Sequence, residues 1–202
     1  QTSGDVTLAG AVNVASVNVN SGAAINVGSG VSTTGSQTYN RQVTLGASAA
    51  ELKATGATSK IDLQGGVNGK GQNLNLTNAA NTASDAINVG GAITNVAALR
   101  VDGRSTLSNN VTTTGSQTYT AAATLGGNAV ELKTTGATAQ LNLQGAVNGN
   151  GQNLTLTNTA NIAAGAIATG STVSNVATLK VDGHAVLGGN VNLAARLGLV
   201  AA

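Results

Sequence analysis

VSTTGSQTYN at 31–40 returns as VTTTGSQTYT at 111–120, and ELKATGATSKIDLQGGVNGKGQNLNLTN at 51–78 returns as ELKTTGATAQLNLQGAVNGNGQNLTLTN at 131–158. NVAALRVDG at 95–103 and NVATLKVDG at 175–183 close the pattern. Residues 31–110 and 111–190 are therefore two copies of one 80-residue unit, identical at 47 positions without a gap. A repeat of this length is read before anything else, because such units bury their apolar faces against one another.

On the N-terminal side, residues 1–30 read as a degenerate remnant of an earlier unit. AVNVASVNVN at 11–20 lies where AITNVAALRVD lies in the next copy, with a slight excess of chain before Val31. At the other end, VNLAARLGLVAA at 191–202 departs from the pattern and is expected to be a cap or a truncation point. With no Met anywhere in the chain, the sequence is expected to be a processed or excised piece. The whole reads as one continuous array: 1–30, 31–110, 111–190 and 191–202.

Within the first unit, strand-like runs follow in series: VTL at 43–45, AELK at 50–53, KIDLQ at 60–64, LNLT at 74–77, AINV at 86–89 and LRVD at 99–102. Most alternate apolar with polar, the period-2 mark of a strand with one buried face. Gly, Asn and Ser-Gly punctuate them. Helix signals are poor, and the Ala-rich stretch from Asn158 to Gly165 is the one short exception.

Short strands with such brief punctuation predict a coil. The anchors Val43, Leu74, Leu99 and Ala123 recur at intervals that shorten slightly after the first. At about 20–25 residues per turn, a unit supplies three or four turns and the chain about nine. Turns stacked at about 4.8 Å give a rod about 40–45 Å long. The predicted fold is an all-β parallel β-solenoid, with Asn and Thr ladders between turns. The alternative is a pair of antiparallel β-sandwich domains, with Asn68-Gly69 and Asn148-Gly149 as hairpin turns.

Composition favours the coil. Phe, Trp, Met, Pro and Cys are absent and there are two Tyr, so the core must be small aliphatics in regular stacks. Charged residues make up 8% of the chain, and nine Lys and Arg stand singly against seven Asp and Glu. Nucleic-acid binding needs clustered cations and stacking aromatics, so it is not expected. The chain has no apolar run long enough to predict a transmembrane helix. Without cysteine, the fold is independent of redox state.

TTGSQTYN-x-x-VTLG at 33–46 and TTGSQTY-x-x-x-x-TLG at 113–126 resemble the repeats of large bacterial surface adhesins, the filamentous-haemagglutinin-like and autotransporter-like β-strand-repeat proteins. The resemblance covers both complete units clearly, and extends more faintly into the degenerate start. It implies a right-handed parallel β-helix, an extracellular or cell-surface location, and a role as stalk or adhesive fibre. The second copy departs from it with Ala121, Ala122 and Ala123 where the first has Arg41, Gln42 and Val43.

Eight repeat-equivalent residues are surface candidates: Tyr39 and Tyr119, Glu51 and Lys53, Glu131 and Lys133, Asp102 and Asp182. The tyrosines are either an exposed repeated contact or a cover for the core edge, and the second reading is favoured. Glu51 and Lys53 sit at i, i+2, hence on one strand face, with Leu52 inward. An ion pair there is worth about 0–1 kcal/mol. Asp102 and Asp182, each before a Gly, read as turn formers. His184 is the one histidine, opposite Arg104 in the other copy, and lacks metal-ligand spacing. Gly65-Gly66-Val67-Asn68-Gly69-Lys70-Gly71 has no Ser or Thr after its Lys and opens no helix, so it is a loop and not a phosphate cradle.

These features call for no catalytic residue, metal or cofactor. The expected function is structural and adhesive. Expected partners are further copies of the chain or neighbouring repeats, and a host or bacterial surface glycan or protein. A self-assembling filament subunit is the second reading, since open solenoid ends template strand pairing. A polysaccharide-active β-helix enzyme using Asp182 or His184 is third, and an ice-binding face of Thr rows is fourth.

Overall fold

Every strand pairing among the described residues is parallel, so the Asn-Gly pairs make no hairpins and the sandwich alternative falls. The computed structural model describes residues 3–127 and 129–194. The proposed cap lies mostly at 195–202, outside the described residues.

The chain winds as nine three-strand coils. The first three are β1 (Val6–Leu8), β2 (Val12–Val14) and β3 (Val17–Val19); β4 (Ile25–Val27), β5 (Val31–Thr33) and β6 (Gln37–Tyr39); and β7 (Val43–Leu45), β8 (Ala50–Ala54) and β9 (Ile61–Leu63). The middle three are β10 (Val67–Asn68), β11 (Leu74–Thr77) and β12 (Ile87–Val89); β13 (Ile93–Val96), β14 (Leu99–Asp102) and β15 (Ser105–Leu107); and β16 (Val111–Thr113), β17 (Gln117–Tyr119) and β18 (Ala123–Leu125). The last three are β19 (Ala129–Thr134), β20 (Leu141–Leu143) and β21 (Val147–Asn148); β22 (Asn153–Asn158), β23 (Ile167–Thr169) and β24 (Val173–Val176); and β25 (Leu179–Gly183), β26 (Ala185–Leu187) and β27 (Val191–Leu193). Every third strand joins the same sheet, giving three nine-stranded sheets around one bore. The first sheet starts with β1, the second with β2 and the third with β3.

The local rule is simple. In most three-residue strands the outer two side chains point in and the middle one points out. Parallel register then stacks like on like. In the first sheet Val6, Ile25, Val43, Val67, Ile93, Val111, Leu132, Leu156 and Val181 form one unbroken aliphatic column. Burying each such side chain contributes about 1.5–3 kcal/mol. β-Branched residues suit the position because they pack tightly on a pleated surface.

Lap length varies without disturbing this register. The lap that carries Leu99 to its partner Gln117 is short, whereas the lap that carries Leu141 to Ile167 is markedly longer. The surplus goes into corner loops. The sequence anchors are therefore not one lap apart: Val43 lies in the first sheet, Leu74 and Leu99 in the second and Ala123 in the third. Only the step from Leu74 to Leu99 is a whole lap.

Five strands of the unit escape the alternation reading: β5, β6, β10, β13 and β15. With them the unit from Val31 to Asn110 holds eleven strands, β5 to β15, and its copy holds β16 to β26. Eleven is not a multiple of three. The copies are thus out of phase by one sheet: β5 lies in the second sheet, its equivalent β16 in the first, and the next equivalent, β27, in the third. The Ala-rich stretch 158–165 is not helical; after the end of β22 it is a corner loop.

Candidate functional site

The best-repeated segment, Thr33–Tyr39, faces the bore and the neighbouring laps. Tyr39 is 0% and Tyr119 1% exposed, which removes both from the surface candidates. Gln37 and Gln117, inside beside them, are also fully buried. Each tyrosine hydroxyl donates to the glutamine Oε1, at 3.0 Å from Tyr39 and 3.1 Å from Tyr119. Gln37 Nε2 in turn donates to the carbonyls of Val31 (3.1 Å) and Lys53 (2.8 Å), and Gln117 Nε2 does the same to Val111 (3.1 Å) and Lys133 (2.7 Å). A buried polar group costs little only when its bonds are made, and here they are made by tying one lap to the next. Ser36 and Ser116 accept from the amides of Lys60 and Gln140, one lap on, at 3.0 Å each. Burial pushes both tyrosine hydroxyls well above the ordinary phenol range.

The remaining candidates fall into two sets of four charges. In the second sheet, β8, β11 and β14 place Glu51, Asn75 and Arg100 in one outward column and Lys53, Thr77 and Asp102 in the next. In the first sheet, β19, β22 and β25 place Glu131, Thr155 and Lys180 beside Lys133, Thr157 and Asp182. Opposite charges thus lie two laps apart in each column, around a polar centre. Glu51 does not pair with Lys53. It accepts from Thr77 Oγ1 at 2.9 Å, and Glu131 accepts from Thr157 Oγ1 at 2.7 Å. Asp102 accepts from Thr120 Oγ1 at 2.7 Å, with Arg100 Nη2 at 3.8 Å. Glu51, Glu131 and Asp102 each accept from a threonine one lap on, and each square carries no net charge.

The Asp-Gly reading has a sharper cause than a turn. Asp102 ends its strand, and Gly103 follows at φ 142°. A Cβ on Gly103 would sit 2.5 Å from the carbonyl oxygen of Asn78, the lap before. Gly183 holds the same place over Asn158 at φ 140°.

One feature stands proud of the prism. Loops 55–60 and 78–86 sit on adjacent laps at the corner between the second and third sheets. Asn78 Nδ2 donates to the carbonyls of Ser59 (2.8 Å) and Ala86 (3.0 Å), Asn81 Nδ2 donates to Ser59 at 2.5 Å, and Lys60 pairs with Asp85. The Lys60 ammonium beside it lowers the Asp85 carboxyl below its ordinary range. The second copy repeats the clamp with Asn158 and Asn161 on the Ala139 carbonyl, at 2.9 and 2.5 Å. In the sequence this two-storey knob shows only as a long gap between LNLT and AINV.

Asp102 and Asp182 lie on different sheets, as do Glu51 and Glu131, so the repeat does not bring equivalent carboxylates together. His184 is exposed on the last coil. Among the described residues, no group of three or more His, Cys, Asp or Glu is gathered for a metal ion. No described helix is long and apolar enough to cross a membrane. No protein-family model, curated protein or solved structure matches the chain.

Proposed function

We propose that the chain is a structural segment of a bacterial extracellular surface fibre, a spacer that carries adhesive elements outward and performs no catalysis. The observation that supports this most is the use made of the repeated motif. Gln37, Tyr39, Ser36 and their copies join laps and do not line a cleft. Glu51, Glu131 and Asp102 of the charged squares also join laps, and the squares carry no net charge. The resemblance of TTGSQTY-containing repeats to surface adhesins points the same way and supports an extracellular location.

The test is reach. The chain is inserted in zero, one or two copies between a bacterial outer-membrane anchor and a terminal fluorescent tag. Each copy raises the tag by about 40 Å, nine laps at about 4.8 Å, as measured by energy transfer to a membrane dye. A height that does not change with copy number overturns the reading. So does turnover on a glycan panel that is lost in Asp182→Asn or His184→Ala.

A second reading, head-to-tail filament assembly, has one observation in its favour. The last described coil leaves Leu187, Val191 and Leu193 exposed, whereas the repeat equivalents Leu107 and Val111 and the stacked neighbour Val176 are buried; in the first coil Val14 is exposed. Electron microscopy of the purified chain decides it: fibres support assembly, and dispersed single particles remove it.

A further inference from the structure

The register of the repeat continues past its second copy, although the residues change. Val191-Asn192-Leu193 stands where Val111-Thr112-Thr113 stood one unit before. Even so, β27 places Val191 on Val173 and Leu193 on Val176, as β16 places Val111 on Ile93 and Thr113 on Val96. Both pairings slip at the same point, before Val176 and before Val96. The amide after each strand is held alike: Ala194 N donates to the Val176 carbonyl at 2.8 Å, and Thr114 N to the Val96 carbonyl at 3.0 Å. Residues 191–194 thus keep the lap geometry of 111–114 without its sequence.

Strands join the three sheets in rotation, so the next slot after β27 lies in the first sheet, on β25. Its equivalent one unit earlier is filled by β17 on β14, with Gln117 over Leu99 and Tyr119 over Val101. Under β17, Leu99 and Val101 are 2% and 0% exposed. Leu179 and Val181 hold the same places on β25 and are only half-buried. With no gap after Leu193, the slot falls to Leu197-Gly198-Leu199, which lie outside the described residues. The sequence suits it. The two bore-facing positions of the slot fall on Leu, and the outward one, opposite Lys180, falls on Gly. Leucine fills such a position with apolar bulk, where Gln117 and Tyr119 need hydrogen bonds to be buried. One residue resists. Ala195 takes the place of Gly115, whose added Cβ would lie 2.5 Å from the Ala97 carbonyl oxygen, so this corner must swing outward to admit a methyl group.

We propose that Leu197-Gly198-Leu199 covers β25 as an added first-sheet strand, with Leu197 over Leu179, Gly198 over Lys180 and Leu199 over Val181. Left uncovered, β25 offers an unpaired strand edge beside half-buried aliphatics, the template on which a second copy of the chain would pair. The chain's own segment has the advantage, because a tether of a few residues holds it there at high effective concentration. This assignment is independent of the adhesive reading, and it opposes head-to-tail assembly through the first sheet.

Native-state hydrogen exchange on the intact chain tests it. On β14, Leu99 N donates to the Ser116 carbonyl at 2.9 Å, and the equivalent bond runs from Leu179 N to the Arg196 carbonyl. The Leu179 amide should exchange at least about tenfold more slowly in the intact chain than in Leu197→Asp with Leu199→Asp. The Leu154 amide, bonded to the Thr178 carbonyl one lap further in, should exchange alike in both. Equal rates at Leu179 in the two chains overturn the proposal. Protection that disappears on dilution gives the slot to a second copy and overturns it as well. Register is read by cross-linking under mild oxidation. Lys180→Cys with Gly198→Cys, facing each other across one lap, forms an intramolecular disulfide. Lys180→Cys with Val200→Cys, two residues out of register and more than about 7 Å apart, does not. Failure of the first pair, or equal cross-linking of both, defeats the assignment.

Discussion

Tyr39 donates its hydroxyl to Gln37 Oε1 across 3.0 Å inside the bore, and Tyr119 does the same to Gln117 at 3.1 Å. In a chain without Phe or Trp, both tyrosines serve as hydrogen-bond donors in a core of aliphatics. Tyr39→Phe keeps the ring and strands the glutamine acceptor. It should cost about 1–3 kcal/mol, the penalty for a buried acceptor left without its donor. Urea denaturation of the variant measures it, and a loss too small to detect would mean that the bond is not made.

The same burial sets the alkaline limit of stability. Both phenols are raised in the folded chain, so they stay protonated there, while an unfolded tyrosine ionises near pH 10. Their contribution is complete below about pH 10 and drains away as the pH rises above it. The slope is about 1.4 kcal/mol per pH unit for each tyrosine. Unfolding free energies measured from about pH 9 upward should fall accordingly, and the double variant Tyr39→Phe with Tyr119→Phe should flatten the curve. An unchanged slope in the double variant would place the phenols in water.

Gly103 packs against the lap before it, with room for no methyl group. Gly103→Ala meets the Asn78 carbonyl at 2.5 Å and must hold φ 142°. Strain and overpacking together cost about 2–4 kcal/mol. The thermal midpoint should drop by several degrees or more, and a wild-type midpoint would show that the corner is wider than the coordinates place it.

Lys70 occupies a left-handed conformation at φ 47°, and its repeat equivalent Asn150 does so at φ 50°. Asn tolerates that region better than Lys, and the Lys side chain makes no ion pair among the described residues. Lys70→Asn should stabilise the chain by about 0.5 kcal/mol. A chemical-denaturation midpoint that falls instead would mean that the aliphatic stem of Lys70 packs usefully on its neighbours.

Much of this architecture is legible in the residues. The gapless repeat gives the unit, and the missing large aromatics point to stacked small side chains. Leu52 between Glu51 and Lys53 shows which face turns in. What escapes has physical causes. QTY at 37–39 reads as polar because Gln37 is buried by hydrogen bonding instead of by being apolar. VN at 67–68 is too short for any alternation to show. The charged squares are invisible in the sequence because Glu51 and Arg100 share a column only through two laps of parallel pairing, by way of Asn75. The knob clamp depends on Asn78 reaching back to Ser59 across a lap, which no local pattern signals.

The unit spans eleven strands of a three-sided coil, so its copies face different ways. The chain has no cysteine, and spin labels can be placed cleanly at Thr58→Cys with Thr138→Cys and at Thr58→Cys with Gln144→Cys. Pulsed dipolar spectroscopy should give about 19 Å, four laps, for Thr58 and Gln144 on one edge. It should give a clearly longer distance for the repeat equivalents Thr58 and Thr138 on neighbouring edges, although they are closer in sequence. The reverse order of distances would mean that the units stack in phase, with equivalent loops on one edge.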